Sequence, residues 1–212
     1  MNNVDESLPG KPSFLNCLGR MVKLLDDSHY IDRLGYLIAP RLIITSLDVN
    51  EGKKPESKEF IYNSNSTNMV QGTIDTSENG YFHIFKSLKL AIMSTAEEHN
   101  VGFEKLKEQN IPMTVAILAA TKDSPCTQLF HMTDVHARPG GFITYDGPEM
   151  DLDSSSSGGL ILEPGTWVTV GIHLRWSPVK KQGTGILLNS LIHAILLHKP
   201  AGLDKFGDLL ET

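Results

Sequence analysis

Gly35-Tyr36-Leu37-Ile38-Ala39-Pro40-Arg41-Leu42-Ile43-Ile44-Thr45-Ser46-Leu47-Asp48-Val49 is two apolar runs with a break between them. Residues 34–38 and 41–47 are rich in Leu and β-branched side chains. Pro40-Arg41 separates them and reads as a turn, so the pair predicts two strands joined in a hairpin. The same rhythm continues outward. Residues 21–25 begin a strand before the hairpin, and 59–62, 69–74 and 81–85 follow it. Asn, Ser and Gly clusters stand between them, and 51–58 is a charged loop. Short strands at this spacing suit a small antiparallel barrel.

Residues 96–111 change character. Glu97, Glu98, Glu104, Lys105, Lys107 and Glu108 make this a mixed-charge, helix-tolerant connector, read as a solvated face. The strand rhythm then resumes at 113–119, 128–135, 142–145, 159–162, 167–176 and 185–188. Ser124-Pro125, Pro139-Gly140-Gly141, Gly147-Pro148 and Glu163-Pro164-Gly165 mark the turns. Leu187, Leu188, Leu191, Ile192, Ile195 and Leu196 repeat with helical period and predict a C-terminal helix ending at His198. The expected organisation is an arm over 1–17, a first barrel over 18–95, the connector over 96–111, a second barrel with its helix over 112–198, and a tail over 199–212. Arm and tail lie outside the barrels and are candidate binding elements.

The second half holds Ser155-Ser156-Ser157-Gly158-Gly159, followed by the strand Val170-Gly171-Ile172-His173-Leu174. A serine beside two glycines stands where backbone N–H groups can converge on an oxyanion, because glycine takes up the tight geometry such a loop needs. Serine–glycine runs are also ordinary loops.

The two segments together resemble the trypsin-like (chymotrypsin-fold) serine proteases. In that family the hairpin carrying the catalytic histidine reads roughly G-x-L-I-x-P-x-x-I-L-T-A-A-H-V, and residues 35–49 keep nearly all of it. Asp48 stands where the family has histidine. The family's G-D-S-G-G aligns with Ser155 to Gly159, which puts Ser157 at the nucleophile and Ser155, Ser156 and Gly158 in the oxyanion loop. Ser155 replaces the glycine that supplies an oxyanion N–H. The family's D-I-A-L-L-K-L aligns with Phe82-His83-Ile84-Phe85-Lys86-Ser87-Leu88-Lys89-Leu90, so His83 falls at or next to the aspartate. Gly171-Ile172-His173 is similar to the G-I-H strand of glutamate-specific and viral members, and implies that Gly171 and His173 line the substrate cleft. The resemblance spans residues 18–198. It implies an all-β fold of two antiparallel six-stranded β-barrels of trypsin-like type with a C-terminal α-helix.

The chemistry implied is incomplete. A serine hydroxyl needs a histidine to accept its proton, and a carboxylate to hold that histidine in the right tautomer. Asp48 is too weak a base at neutral pH and too short to fill the imidazole's place. With His83 in the remote position, a histidine would meet Asp48 first and would not reach Ser157 without rearrangement.

Composition narrows the function. A net charge of −6 over 212 residues, with no basic stripe, disfavours non-specific binding to nucleic acid. Two cysteines, Cys17 and Cys126, cannot form a disulfide framework, although one bridge is possible. Met1 to Glu6 has no basic segment followed by an apolar run, so no signal peptide is expected, and no stretch approaches the roughly 18 apolar residues of a membrane span. The expected setting is intracellular, cytoplasmic or nuclear. No Cys/His cluster has zinc-ligand spacing, and no cofactor is expected. Three readings follow: a catalytically inactive trypsin-like homologue that binds a protein or peptide partner, within an intracellular complex; an active serine endopeptidase using Ser157, His83 and Asp48 in a rearranged triad; or an unrelated all-β binding protein.

Overall fold

The computed structural model describes residues 17–25, 28–47, 58–65, 68–100, 103, 105–121, 124–147, 152 and 156–211. Seven strands build the first sheet: β1 (Leu18–Leu25), β2 (Ser28–Ala39), β3 (Leu42–Ser46), β4 (Glu59–Asn65), β5 (Asn68–Thr73), β6 (Phe82–Phe85) and β7 (Leu90–Ser94). Their order is β5-β4-β1-β2-β3-β7-β6, every neighbour antiparallel. The sheet curls on itself. Ile74, just past β5, bridges Thr95, just past β7, and Asp75 N–H donates to the Ser94 carbonyl at 2.9 Å.

The hairpin over residues 34–47 is β2 and β3, joined at Pro40-Arg41 as its residues predict. All of β3 is buried, with Leu42, Ile43 and Ile44 at zero exposure. A strand apolar at successive positions is buried on both faces. One face of β3 points into the curled sheet, and the other meets the second unit, whose strand over Thr169–Ser177 packs against it.

β7 has no counterpart among the expected strands. Lys86–Leu88 forms a single 3₁₀ turn, and Lys89 takes a left-handed conformation (φ 58) that reverses the chain into Leu90. Such a turn normally carries Gly, Asn or Asp, and here a lysine holds it, so nothing in the sequence announces it.

The second unit is a closed antiparallel barrel of six strands: β8 (Val115–Thr121), β9 (Ser124–Arg138), β10 (Phe142–Asp146), β11 (Leu160–Leu162), β12 (Thr169–Ser177) and β13 (Gln182–Leu187), in the order β10-β13-β12-β11-β8-β9. Closure leaves no sheet edge to protect. The helix α1 (Leu188–His198) follows directly, burying Leu188, Leu191, Ile192 and Ile195, the i, i+3, i+4, i+7 stripe read from the sequence. Lys199 ends it in a left-handed cap, its N–H donating to the Ile195 carbonyl at 2.9 Å.

The connector departs from the solvated, helix-tolerant segment expected of it. Its described residues contain no helix. Leu106 is buried and forms a parallel bridge with Leu210 of the tail, and Leu106 N–H donates to the Leu209 carbonyl at 2.8 Å. Lys105 pairs with Asp208 at 2.8 Å alongside. One apolar residue among charges, sealed by a distant segment, leaves no local periodicity to read. The tail is thus folded against the body, with the Phe206 ring edge-on to Tyr81.

Candidate functional site

Ser157 lies where the first sheet and the second barrel meet. The turn from Ser156 to Gly159 enters β11 and is held from both sides. On the barrel side, Gly158 N–H donates to the His173 carbonyl at 2.8 Å, and His173 N–H donates to the Gly159 carbonyl at 2.7 Å. On the sheet side, Leu34 N–H donates to the Ser157 carbonyl at 2.7 Å. Thr45 Oγ1 in turn donates to the Leu34 carbonyl at 2.7 Å, and the buried Arg33 donates through Nη1 to the Ser46 carbonyl at 2.7 Å. Asp32 pairs with the Arg33 guanidinium through both carboxylate oxygens, each at 3.1 Å. Gly158 has φ +90 and closes against the Leu34 carbonyl, a backbone position that suits glycine.

The Ser157 hydroxyl has two partners. Its Oγ donates to the Leu174 carbonyl at 2.6 Å and lies 2.7 Å from Ser46 Oγ. With the Ser157 proton committed to Leu174, Ser46 is the donor of the second bond. A peptide carbonyl orients a hydroxyl but does not take its proton at neutral pH, so this pair of bonds restrains Ser157 without activating it. Neither Ser46 nor Leu174 was among the expected site residues. The signal for Ser46 was present, since it stands at the first alanine of the family's T-A-A-H run. The Leu174 carbonyl had none, because backbone acceptors leave no mark on a sequence.

His83 sits on β6, the edge strand, opposite Ile92 of β7, which is itself opposite Ile44 of β3. Two strand spacings, about 10 Å, therefore separate its backbone from β3. Its ring packs edge-on against Phe85 with centroids 4.6 Å apart. Partial burial, and to a lesser degree the charge of His198, hold its pKa below the ordinary imidazole value. No hydrogen bond joins His83 to Ser157. The strand beside β3 is β7, and the residue at its head is Lys89, whose carbonyl accepts from Leu47 N–H at 2.8 Å. Asp48 and Ser155 lie outside the described residues.

His173 and Gly171 were expected on the wall of a cleft. Both are buried, His173 at zero exposure. Tyr145 OH lies 2.5 Å from His173 Nδ1, and Ser156 Oγ lies 3.4 Å from Nε2, so the imidazole is enclosed by a phenol and a serine of the same barrel. Tyr145 packs against it from β10, and a large core side chain 28 residues upstream gives no local warning. Burial drives the His173 pKa down to about 3 and raises that of Tyr145 well above its usual value. A neutral imidazole offers one donor and one acceptor, and either tautomer satisfies this trio. Of the oxyanion-loop residues, Ser156 is fully buried and the Gly158 N–H is already bonded to His173, so that N–H is not directed at a ligand.

His193 pairs with Glu108 at 2.6 Å, and His131 and His136 are exposed on β9. Among the described residues no group of three His, Cys, Asp or Glu side chains could hold a metal ion. No helix among them is long and apolar enough to cross a membrane.

No family model matches the sequence, and no curated protein does. Solved structures match over most of the chain. A Glu endopeptidase superposes with a TM-score of 0.61 at 14% identity, covering 90% of this chain and 92% of its own. The VesB protease of Vibrio cholerae gives 0.63 at 14% identity, covering 87% of this chain and 64% of its own. The inactivated protease paralogue S-I1 of the scabies mite gives 0.63 at 10% identity, over 87% and 94%. The chain has the trypsin-like two-barrel fold, and the reading as an unrelated all-β protein is set aside by these likenesses.

Replacing Ser46 by alanine is expected to cost about 1 kcal/mol of stability, the net worth of one hydroxyl bond. Urea unfolding of the variant checks this. A loss above about 3 kcal/mol would mean that Ser46 does more than hold Ser157.

Proposed function

We propose that this chain with a trypsin-like fold is a pseudoprotease, a catalytically inactive homologue that serves as a protein-binding module within an intracellular complex. The observation that carries this reading is the state of the Ser157 hydroxyl, donated to the Leu174 carbonyl and capped by Ser46, with no imidazole on it. Loss of a base removes most of the rate of acyl transfer and leaves the fold intact, and function follows the site rather than the fold. Two of the structural neighbours are described as inactivated protease paralogues, so the fold occurs elsewhere in inactivated form. The surface between sheet and barrel then takes a peptide segment of a partner in extended form, by backbone pairing and side-chain pockets.

The test is covalent. A fluorophosphonate probe labels serines that a neighbouring base activates. The folded protein is expected to stay unlabelled, at the level of a Ser157→Ala control. Labelling that disappears in that control would restore the endopeptidase reading and sink this one.

A further inference from the structure

Next to Leu174, at the junction of sheet and barrel, lies an open depression of about 300 Å³. Leu174, whose carbonyl holds the Ser157 hydroxyl, forms part of its floor with Phe142 and Pro139. Its rim is Lys89 from the first sheet and Arg138 and Arg175 from the barrel, so the depression spans the same junction as the serine turn. Arg138 and Arg175 are exposed and Lys89 is half-buried. Arg138 Nε donates to Thr144 Oγ1 at 3.2 Å, which holds its guanidinium over β10. Among the described residues none of these three cations is in an ion pair, whereas Arg33, Arg41, Lys105 and Lys107 each face a carboxylate. Three cations around one concavity on a chain of net charge −6 are a local reversal of the protein's field. Clefts lined by one sign of charge concentrate ligands of the other.

We propose that this depression receives an acidic side chain, aspartate or glutamate, of a partner peptide lying across the junction. Its aliphatic stem would rest on Leu174, Phe142 and Pro139. Its carboxylate would take charge-assisted bonds from the two guanidinium groups and the ammonium. The apolar floor favours a side chain with a carbon stem over a bare phosphate backbone. The inference rests on the peptide-binding reading above and assigns the charge of what is bound.

Fluorescein-labelled pools of extended hexapeptides, identical except for one fixed residue, would be titrated against the full chain by anisotropy. The fixed residue would be glutamate, glutamine or lysine. The glutamate pool is expected to bind roughly tenfold tighter than the glutamine pool at about 0.1 M salt, and the preference should shrink as salt screens it. The lysine pool should be weakest. The double variant Arg138→Gln/Arg175→Gln, altered at exposed positions only, should bind the glutamate and glutamine pools alike. Equal binding of those two pools by the unaltered protein would overturn the charge assignment while leaving peptide binding in place. A preference retained by the double variant would also overturn it, as would tighter binding of a short single-stranded DNA than of the glutamate pool. Binding of no pool would remove the peptide-binding reading itself, and this inference with it.

Discussion

Replacing Gly158 by alanine is expected to destabilise the protein by about 2–5 kcal/mol, among the largest effects of any single methyl group in the chain. Two costs add. At φ +90 a side chain meets its own backbone, which costs roughly 1–2 kcal/mol. A Cβ at this position would also overlap the carbonyl oxygen of Leu34, which is backbone in the middle of β2 and cannot swing away. Forcing the two apart costs roughly a further 1–3 kcal/mol of overpacking, and it would strain the Leu34 N–H to Ser157 bond that docks the serine turn on the sheet. Gly165 supplies the control. Its φ is +92, but nothing lies within 4 Å of where its Cβ would stand. Gly165→Ala therefore reports the conformational cost alone. Urea unfolding of both variants should show Gly158→Ala losing at least 1 kcal/mol more than Gly165→Ala. Equal losses would mean that the serine turn does not rest on β2.

The elements that sequence reading reached are those whose residues announce themselves locally. β2 and β3 are apolar runs around Pro40, and α1 carries its stripe at helical spacing. What escaped depends on partners far away in the chain. β7 follows a reversal held by a left-handed lysine, and Leu106 is buried only because Leu210 arrives beside it. The site divides the same way. Ser157 was singled out as a candidate by its two glycines, and it lies at the junction between the two units. His83 was matched to the D-I-A-L-L-K-L run by sequence alone, whereas strand pairing sets Lys89 at the head of the strand beside β3. A one-dimensional alignment cannot tell β6 from β7, since both are short and apolar. Register decides it, and register is a property of the sheet. His173 reads on the sequence as a residue of a cleft-lining strand, and only the packing of Tyr145 reveals that it is sealed.

That sealed histidine makes stability depend on pH in a direction opposite to that of a histidine gaining a carboxylate partner. In the unfolded chain its pKa is near 6.5, and in the folded protein burial holds it at about 3. Above pH 6.5 both states carry the neutral ring, and His173 contributes no pH dependence. As the pH falls below 6.5 the unfolded chain takes up a proton that the folded protein refuses, so stability drops by roughly 1.4 kcal/mol per pH unit until about pH 3, where the loss levels off. His173→Gln keeps a donor and an acceptor in place for Tyr145 and Ser156 but cannot titrate. At pH 7.5 this variant should be less stable than the parent by about 1–3 kcal/mol. Between pH 7.5 and 5.5 the gap should narrow by about 1.4 kcal/mol, since only the parent loses the histidine's share and the carboxylates titrate alike in both. Parallel stability curves over that range would show that His173 protonates in the folded state and is open to water. Should the variant not fold, the imidazole proton resonances of His173 in the parent give the same answer, because they should not shift between pH 7.5 and 5. A ring kept neutral in this way offers no positive charge to an acidic ligand. The attraction for such a ligand then has to come from outside the barrel, where Lys89, Arg138 and Arg175 line the depression over Leu174.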